Sequence, residues 1–302
     1  RSGHLGNRTP GTLKRTLPSA VTRTGAAVLA GAAALSGLAV ARAGPSPRQQ
    51  DSELQSQAIA GSLHFVAYLP NGYDQGTTRY PVVYLLHGLP ATGTGYRGVG
   101  FVEQALDATG SPAILVAPQG STDSKTDPEY LDQGPGNRWD TAITRELVRV
   151  VDARFRTIRS RAGRALVGVS AGGYGAMHLA LSHLDQFAAV ESWSGYFHPT
   201  DPTGTKPLDL GSKLANARAD VHRQLQVDRT RLKALPTFIA FYVGRDDTRF
   251  VAENRQLNLE LSRAGIPHVF RVYAGGHDQS LWQRYAAPWL TLALNHLAPA
   301  SG

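Results

Sequence analysis

The chain has 302 residues, of which 42% are hydrophobic, so it can bury one large core and lies near the upper size limit of a single domain. Its formal charge of +8 suggests an acidic partner, yet residues 1–43 hold six of the 31 basic residues and no acidic one, so the remaining body is nearly neutral and nucleic-acid binding is not expected. The absence of Cys excludes disulfides, thiolate metal sites and a cysteine nucleophile.

The first 43 residues have the features of a secretory signal peptide. A basic leader runs into the apolar stretch GAAVLAGAAALSGLAV at 25–40, which ends at the small-x-small pattern Ala41-Arg42-Ala43. A membrane-spanning helix needs about 20 apolar residues, so we expect cleavage and export, with no stable membrane anchor afterwards; an uncleaved anchor is the alternative. The next stretch, 44–57, is polar, contains two prolines and predicts a flexible linker.

Residues 58–299 alternate between strand-like and helix-like patterns, which predicts one α/β domain. The alternating segment 62–70 suits a half-buried antiparallel edge strand, whereas 80–88 is apolar enough to be buried on both faces. Similar short apolar runs lie at 113–118, 165–170, 187–194, 237–244 and 268–275. Helical patterns lie between them, at 137–155, 171–184 and 249–265. This order predicts a mostly parallel sheet with helices on both faces.

The segment GVSAGGYGA, 168–176, joins a predicted strand to a predicted helix and places Ser170 at the junction. Gly168 and Gly172 stand two residues to either side of it, which is the GxSxG pattern in its strand-turn-helix context. The turn needs small flanking residues, and the helix that follows directs its first N–H groups toward the serine. The segment therefore predicts a nucleophile; a glycine-rich turn without catalytic function is the alternative.

A serine nucleophile needs a histidine base and an acid that orients the base. His277 follows the last predicted strand, and GRDD at 244–247 follows the strand before it, so both belong to the same sheet edge as Ser170. Either Asp246 or Asp247 can serve, with the spacing GxxD favouring Asp247, and a helix N-cap is the non-catalytic interpretation of both. The chain order Ser, Asp, His is that of α/β hydrolases.

Acyl transfer also requires N–H groups that stabilise the developing oxyanion. The N–H of Ala171, at the start of the helix, is one expected donor, and the N–H of Leu89, after the strand YLLHG, is the other. His87 precedes Leu89 and is expected to organise this loop rather than to act as a second base. We expect neither a metal nor an organic cofactor, because no His-Glu-His ligand spacing is present and the proposed machinery is complete without one.

Six motifs in this order, LLHGL, APQG, GVSAGGYGAMHLAL, FAAVESWSGYF, GRDD and GGHDQSLWQ, resemble the putative-esterase family of α/β hydrolases. That family includes feruloyl esterases, S-formylglutathione hydrolases and mycolyltransferase antigens. The resemblance covers roughly residues 58–297 and implies an α/β-hydrolase fold with Ser170 as nucleophile, Asp247 as acid and His277 as base. Ala171 departs from the family pattern, in which many members have Met, but the substitution keeps the N–H.

Aromatic side chains are expected in the loops around the site, with Trp139, Trp193 and Trp282 as the candidates for substrate binding. The alternative for Trp139 and Trp193 is the core, because tryptophan is highly buried on average. The polar segment 198–213 lies where α/β hydrolases commonly carry a lid or cap.

These features predict a secreted, extracellular serine esterase that hydrolyses a small-molecule or polysaccharide-linked carboxylic ester through an acyl-enzyme. Two alternatives remain open. The first is an acyltransferase of the mycolyltransferase type, which would use the same triad and deliver the acyl group to an alcohol. The second is a non-catalytic wall or carbohydrate-binding protein on a hydrolase scaffold, which the intact set of Ser, Asp and His disfavours.

Overall fold

The computed structural model describes residues 48–123, 127–202, 204 and 206–302. The predicted signal peptide, residues 1–43, lies outside the described residues. Within this part of the chain, no helix combines the length and the apolar character that crossing a membrane requires.

Eight strands form one sheet with the order β1-β2-β4-β3-β5-β6-β7-β8. The strands are β1 Gln49–Ser56, β2 Gly61–Tyr68, β3 Val82–Leu86, β4 Ile114–Pro118, β5 Arg164–Val169, β6 Ala189–Trp193, β7 Phe238–Gly244 and β8 Val269–Tyr273. β1 and β2 are antiparallel to their neighbours, and all pairs from β4 to β8 are parallel. The prediction of a mostly parallel sheet is confirmed.

The first strands correct two details of the sequence interpretation. The predicted linker, 44–57, is wrong for 49–56, because these residues form β1 and pair along their whole length with β2. Leu54 and Ser56 of β1 are buried and its other side chains are exposed or half-buried, so the polar composition hid an edge strand. β2, at Gly61–Tyr68, is antiparallel as predicted, but it lies between β1 and β4 and is therefore not an edge strand.

Helices cover both faces of the sheet. They are α1 Gly100–Ala108, α2 Trp139–Thr141, α3 Val148–Arg154, α4 Ala171–Ser182, α5 Lys213–Ala219, α6 Val221–Ala234, α7 Val251–Ala264 and α8 Gln279–Leu294. A π-helical segment, Ala142–Leu147, joins α2 to α3, so the helical pattern predicted for 137–155 is continuous. The patterns predicted for 171–184 and 249–265 correspond to α4 and α7.

The sheet separates two hydrophobic cores because successive side chains of a strand point to opposite faces. In β3, Val82 and Tyr84 pack on one side with α4, α6 and α7, whereas Val83 and Leu85 pack on the other side with α1 and α8. All five residues of β3 are buried, as the continuous apolar run predicted. The N-terminal end of α4 meets the sheet at the C-terminal end of β5, which is where ligands bind in open α/β sheets.

One buried carboxyl group lies in the second of these cores. Glu191 of β6 has no solvent exposure, and its Oε2 accepts a hydrogen bond from Trp193 Nε1 at 3.0 Å. The other oxygen, Oε1, has no hydrogen-bond partner among the residues that the structure describes. Burial raises the pKa of Glu191 well above its usual value, so the neutral form is favoured in the folded protein.

We expect Glu191→Gln to stabilise the protein, and more so as the pH rises. Because the folded-state pKa lies above that of the unfolded chain, folding takes up a proton, and the free energy of unfolding falls as pH rises above the ordinary Glu pKa. Glutamine keeps an acceptor for Trp193 and needs no proton. The melting temperature should rise by roughly 2–4 °C at pH 7.5, corresponding to about 1 kcal/mol, and by less at pH 5.

Differential scanning calorimetry at both pH values provides the measurement. Glu53→Gln, at an exposed position of β1, is the matched control for the loss of one negative charge. A gain that is equal at the two pH values would show that Glu191 is ionised in the folded protein.

Candidate active site

Ser170 occupies the sharp turn between β5 and α4. Its φ of 55° and ψ of −120° lie outside the regions that non-glycine residues normally adopt, and its N–H donates a 2.9 Å hydrogen bond to Trp193 O at the end of β6. The residue is 8% exposed and is therefore largely buried. At the start of α4, the N–H groups of Gly173 and Tyr174 donate to Ser170 O at 2.8 and 3.1 Å, so the N-terminal end of the helix lies at this residue.

The two glycines of the GxSxG motif are required by close backbone packing. A Cβ on Gly168 would lie 1.9 Å from Gly172 O, and a Cβ on Gly172 would lie 2.0 Å from Leu86 O in β3. Neither distance is compatible with any side chain. At these two positions, β3, β5 and the first turn of α4 therefore contact one another through backbone atoms, and this contact makes the sharp turn possible.

The loops after β7 and β8 are held together by backbone hydrogen bonds. Arg245 N–H donates to Tyr273 O at 2.7 Å, and Asp246 N–H donates to Gly275 O at 3.0 Å. A Cβ on Gly244 would lie 2.4 Å from Gly275 O, so glycine is required there as well. This pairing places the residue after Asp246 beside the loop that carries His277.

The structure brings Ser170, His277 and Asp247 into one hydrogen-bonded line. His277 Nε2 lies 2.9 Å from Ser170 Oγ, and His277 Nδ1 lies 2.7 Å from Asp247 Oδ2. The Asp247 side chain is 1% exposed, whereas Asp246 is exposed to solvent. The geometry thus selects Asp247 over Asp246 as the partner of His277, and the side chain of Asp246 caps no helix, because α7 begins at Val251 without a side-chain cap.

The loop that carries Leu89 packs directly against Ser170. A Cβ on Gly88 would lie 2.9 Å from Ser170 Cβ, so the chain at Gly88–Leu89 passes as close to the serine as its backbone permits. His87 holds this loop: its Nε2 accepts the Gly120 N–H at 3.0 Å, and its carbonyl accepts the Tyr130 hydroxyl at 2.7 Å. Burial lowers the pKa of His87, which keeps the ring neutral and able to accept at Nε2.

The predicted cap segment 198–213 is attached to a buried glutamate. Thr200 donates to Glu129 Oε1 from its N–H at 2.8 Å and from its hydroxyl at 2.7 Å, and the Tyr196 hydroxyl donates to the same oxygen at 2.7 Å. Burial and the neighbouring Asp127 raise the pKa of Glu129 to about 8. Further along the segment, Gly204 lies so close to Leu89 that a Cβ would stand 3.3 Å from Leu89 Cδ1.

Of the three tryptophans predicted to bind substrate, only Trp282 lies at the site. Trp139 is 2% exposed and Trp193 is fully buried, and both pack in the hydrophobic cores, so the prediction is wrong for these two. Their rings bury more apolar area in the core than a rim position would allow. Trp282 is partly exposed, and the centroid of its ring lies 5.2 Å from that of His277.

A groove of about 1020 Å³ lies elsewhere, between α4, α6 and the segment 208–219, and contains none of the three residues Ser170, Asp247 and His277. Among its described lining residues, no nucleophile is hydrogen-bonded to a base, so the groove lacks the arrangement found at Ser170. Among the described residues, no group of three or more His, Asp or Glu side chains is arranged to hold a metal ion.

Residues 56–287 match the protein family described as Putative esterase. The chain belongs to this family. The match covers more than half of the chain, and the resemblance inferred from the six motifs is confirmed. Esterase Rv1288 of Mycobacterium tuberculosis is 29% identical over 256 residues, which is 76% of this chain and 56% of that protein. The acetyl esterase of Caldicellulosiruptor saccharolyticus is 26% identical over 235 residues, 71% of this chain and 83% of that protein.

A solved structure of a ferulic acid esterase superposes with a TM-score of 0.71 at 24% identity and covers 82% of this chain and 98% of that one. This similarity confirms the α/β-hydrolase fold that the sequence predicted for this chain. The chain spans only about half the length of Esterase Rv1288.

The sequence interpretation missed three residues, two around His277 and Trp282 and one that holds the cap segment. Phe250 and Ser194 contact His277 and Trp282 respectively, and Glu129 anchors the cap segment. Ser194 follows β6 in the segment SWSGYF, and its place at the end of a parallel strand was an available signal. Phe250 lies at the start of the predicted helical pattern 249–265, which does not show what its ring contacts, and Glu129 lies in a loop without a periodic pattern.

Proposed function

We propose that this member of the esterase family is a secreted serine hydrolase of carboxylic esters. The observation that carries the proposal is the line of hydrogen bonds from Ser170 Oγ to His277 Nε2, at 2.9 Å, and from His277 Nδ1 to Asp247 Oδ2, at 2.7 Å. A neutral imidazole with its proton on Nδ1 donates to the carboxylate and accepts the serine proton on Nε2. This is the arrangement that activates a serine hydroxyl.

In the first step, His277 Nε2 takes the Ser170 proton while Oγ forms a bond to the carbonyl carbon of the ester. The carbonyl electron pair moves to its oxygen, which the N–H groups of Ala171 and Leu89 would stabilise. When this intermediate collapses, the C–O bond to the alcohol breaks, and His277 gives its proton to the leaving oxygen. Water then attacks the acyl-enzyme with His277 again as base, releasing the acid and restoring Ser170.

The substrate we propose is a small-molecule or polysaccharide-linked ester. The similarity to an acetyl esterase over 71% of the chain supports a short acyl group. Gly204 of the cap segment lies beside Leu89, so we expect the cap segment to border the path by which the acyl group reaches Ser170. No cofactor is required by these steps.

An acyltransferase would use the same residues and differ only in the acceptor of the acyl group. Hydrolysis of p-nitrophenyl acetate and butyrate, measured with and without glycerol or trehalose, separates the two functions. A transferred acyl group on the added alcohol would favour the transferase, whereas acid release at an unchanged rate favours the hydrolase. A protein with no turnover of any ester would match the non-catalytic alternative.

Ser170→Ala tests the proposed nucleophile. Because the alanine variant cannot form an acyl-enzyme, kcat for p-nitrophenyl acetate should fall by at least about 10³-fold, with little change in melting temperature. Ser160→Ala, at an exposed serine before β5, is the control for the loss of a hydroxyl. Retention of more than about a tenth of the wild-type rate by Ser170→Ala would exclude this serine as the nucleophile.

The two neighbouring aspartates form a matched pair of variants. Asp247→Asn should lower kcat by about 10³- to 10⁴-fold, because an amide favours the wrong tautomer of His277. Asp246→Asn, at the exposed neighbour, should keep both kcat and melting temperature near the wild-type values. Steady-state kinetics and thermal unfolding of both variants are the measurements, and a large kinetic loss in Asp246→Asn would reverse the assignment.

Export is tested by the mass of the protein found outside the cell. Cleavage after Ala43 is expected from the basic leader and the small-x-small boundary. Intact mass spectrometry of the secreted form should give a chain that begins at Gly44. A chain that still begins within the apolar run 25–40 would mean that the segment is retained as an anchor.

A further inference from the structure

Two aromatic rings flank the imidazole of His277. The ring centroid of Phe250 lies 5.3 Å from that of His277 with an interplanar angle of 66°, and the centroid of Trp282 lies 5.2 Å away at 90°. Both are edge-to-face arrangements, which aromatic rings prefer over face-to-face stacking. Phe250 is buried, whereas Trp282 is partly exposed and is fixed by a further contact. We call Phe250 and Trp282 the aromatic clamp.

The indole of Trp282 is held by Ser194. Trp282 Nε1 donates a hydrogen bond to Ser194 Oγ at 3.1 Å, and Ser194 itself is fully buried directly after β6. The φ of Ser194 is 52°, a conformation that non-glycine residues rarely adopt, and its N–H donates to Tyr242 O in β7 at 2.8 Å. Strained non-glycine residues of this kind are found mainly where function requires an unusual orientation.

The same short segment also holds the nucleophile. The carbonyl of Trp193 accepts the N–H of Ser170 at 2.9 Å, and the next residue, Ser194, accepts the indole N–H of Trp282. The end of β6 therefore fixes Ser170 on one side and, through Trp282, the ring of His277 on the other. The relative position of Ser170 and His277 therefore depends on the contacts of Trp193 and Ser194 as well as on their direct hydrogen bond.

The clamp also suits the charge that appears during the reaction. When Ser170 gives its proton to Nε2, the imidazole of His277 becomes a cation whose centroid lies 5.3 Å from that of Phe250 and 5.2 Å from that of Trp282, a distance at which a cation over an aromatic face is attracted to it. Tryptophan is the strongest of the aromatic partners for such a cation. The stabilisation exists only while His277 is charged, so it acts on the transition state rather than on substrate binding.

We propose that Trp282 is a positioning residue, held by Ser194, that orients His277 and stabilises its protonated form during acyl transfer. This inference rests on the proposed function. It replaces the sequence prediction that Trp282 binds substrate, and the two roles differ in what they change: a substrate contact affects KM, whereas a positioning residue affects kcat.

Four variants, assayed with p-nitrophenyl acetate, separate these roles. Trp282→Leu, which removes the ring, should lower kcat by about tenfold to thirtyfold with KM within twofold of wild type. Trp282→Phe keeps a ring but loses the N–H, so it should recover only part of that loss, the remainder reflecting the missing hydrogen bond to Ser194. Ser194→Ala and Ser194→Gly remove the acceptor of the same hydrogen bond, and Ser194→Gly also relieves the strained φ if the alanine variant folds poorly.

A double-mutant cycle gives the sharpest result. Because Trp282→Phe and Ser194→Ala remove one shared hydrogen bond, the double variant should lose no more kcat than either single variant. Gln283→Ala, at an exposed position of the same helix, is the control for changes in α8. Additive losses in the double variant would show that Ser194 does not act through Trp282.

A proton NMR spectrum provides a readout that does not need turnover. The low-field resonance of the proton between His277 Nδ1 and Asp247 Oδ2 should be sharp in the wild type and broadened or lost in Trp282→Leu, while Gln283→Ala leaves it unchanged. A raised KM with unchanged kcat in Trp282→Leu, or no change in the kinetics and the resonance, overturns the inference. If the wild-type protein hydrolyses no ester, the proposed function is wrong. In that case the NMR measurement still tests the positioning role, and an unchanged resonance in Trp282→Leu would reject it.

Discussion

The arrangement of the site depends on a contact between bare backbones. Where β5 turns into α4, Gly172 lies against Leu86 O and Gly168 lies against Gly172 O at distances that no Cβ can enter. This packing lets the turn approach β3 closely enough to give Ser170 its strained conformation while its N–H remains bonded to β6. The favourable burial of the surrounding apolar strands offsets the backbone strain, which costs about 1–3 kcal/mol at such a residue.

Asp247 and His277 are positioned differently, by hydrogen bonds between the loops that follow β7 and β8. Backbone hydrogen bonds join the segments after β7 and β8, so Asp247 and His277 are held side by side although 30 positions separate them in the chain. The carboxylate is almost fully buried, and Arg249 Nε lies 3.9 Å from its second oxygen. A buried carboxylate needs polar partners, and here His277 Nδ1 contacts one oxygen while the Arg249 guanidinium lies near the other.

The sequence predicted much of this arrangement because its strongest signals are periodic or chemically restrictive. Apolar runs located all of the parallel strands, and the requirement for glycine on both sides of Ser170 identified the turn. β1 was missed since an edge strand with one buried leucine has almost no apolar pattern. Trp193 was misplaced because a residue at the end of β6 can face either the site or the core, and only the pleat of the strand decides which.

The ends of β5 and β6 carry a further constraint. Val169 pairs with Trp193 in the sheet, so Ser170 and Ser194, both with positive φ, leave adjacent strands at the same level. A shift of one residue between these strands would displace one serine relative to the other by about 3.3 Å and would turn every side chain of the shifted strand to the opposite face. That displacement exceeds the 2.9 Å that separates His277 Nε2 from Ser170 Oγ. Slippage between β5 and β6 would therefore separate Ser170 from His277 even if every side chain were retained.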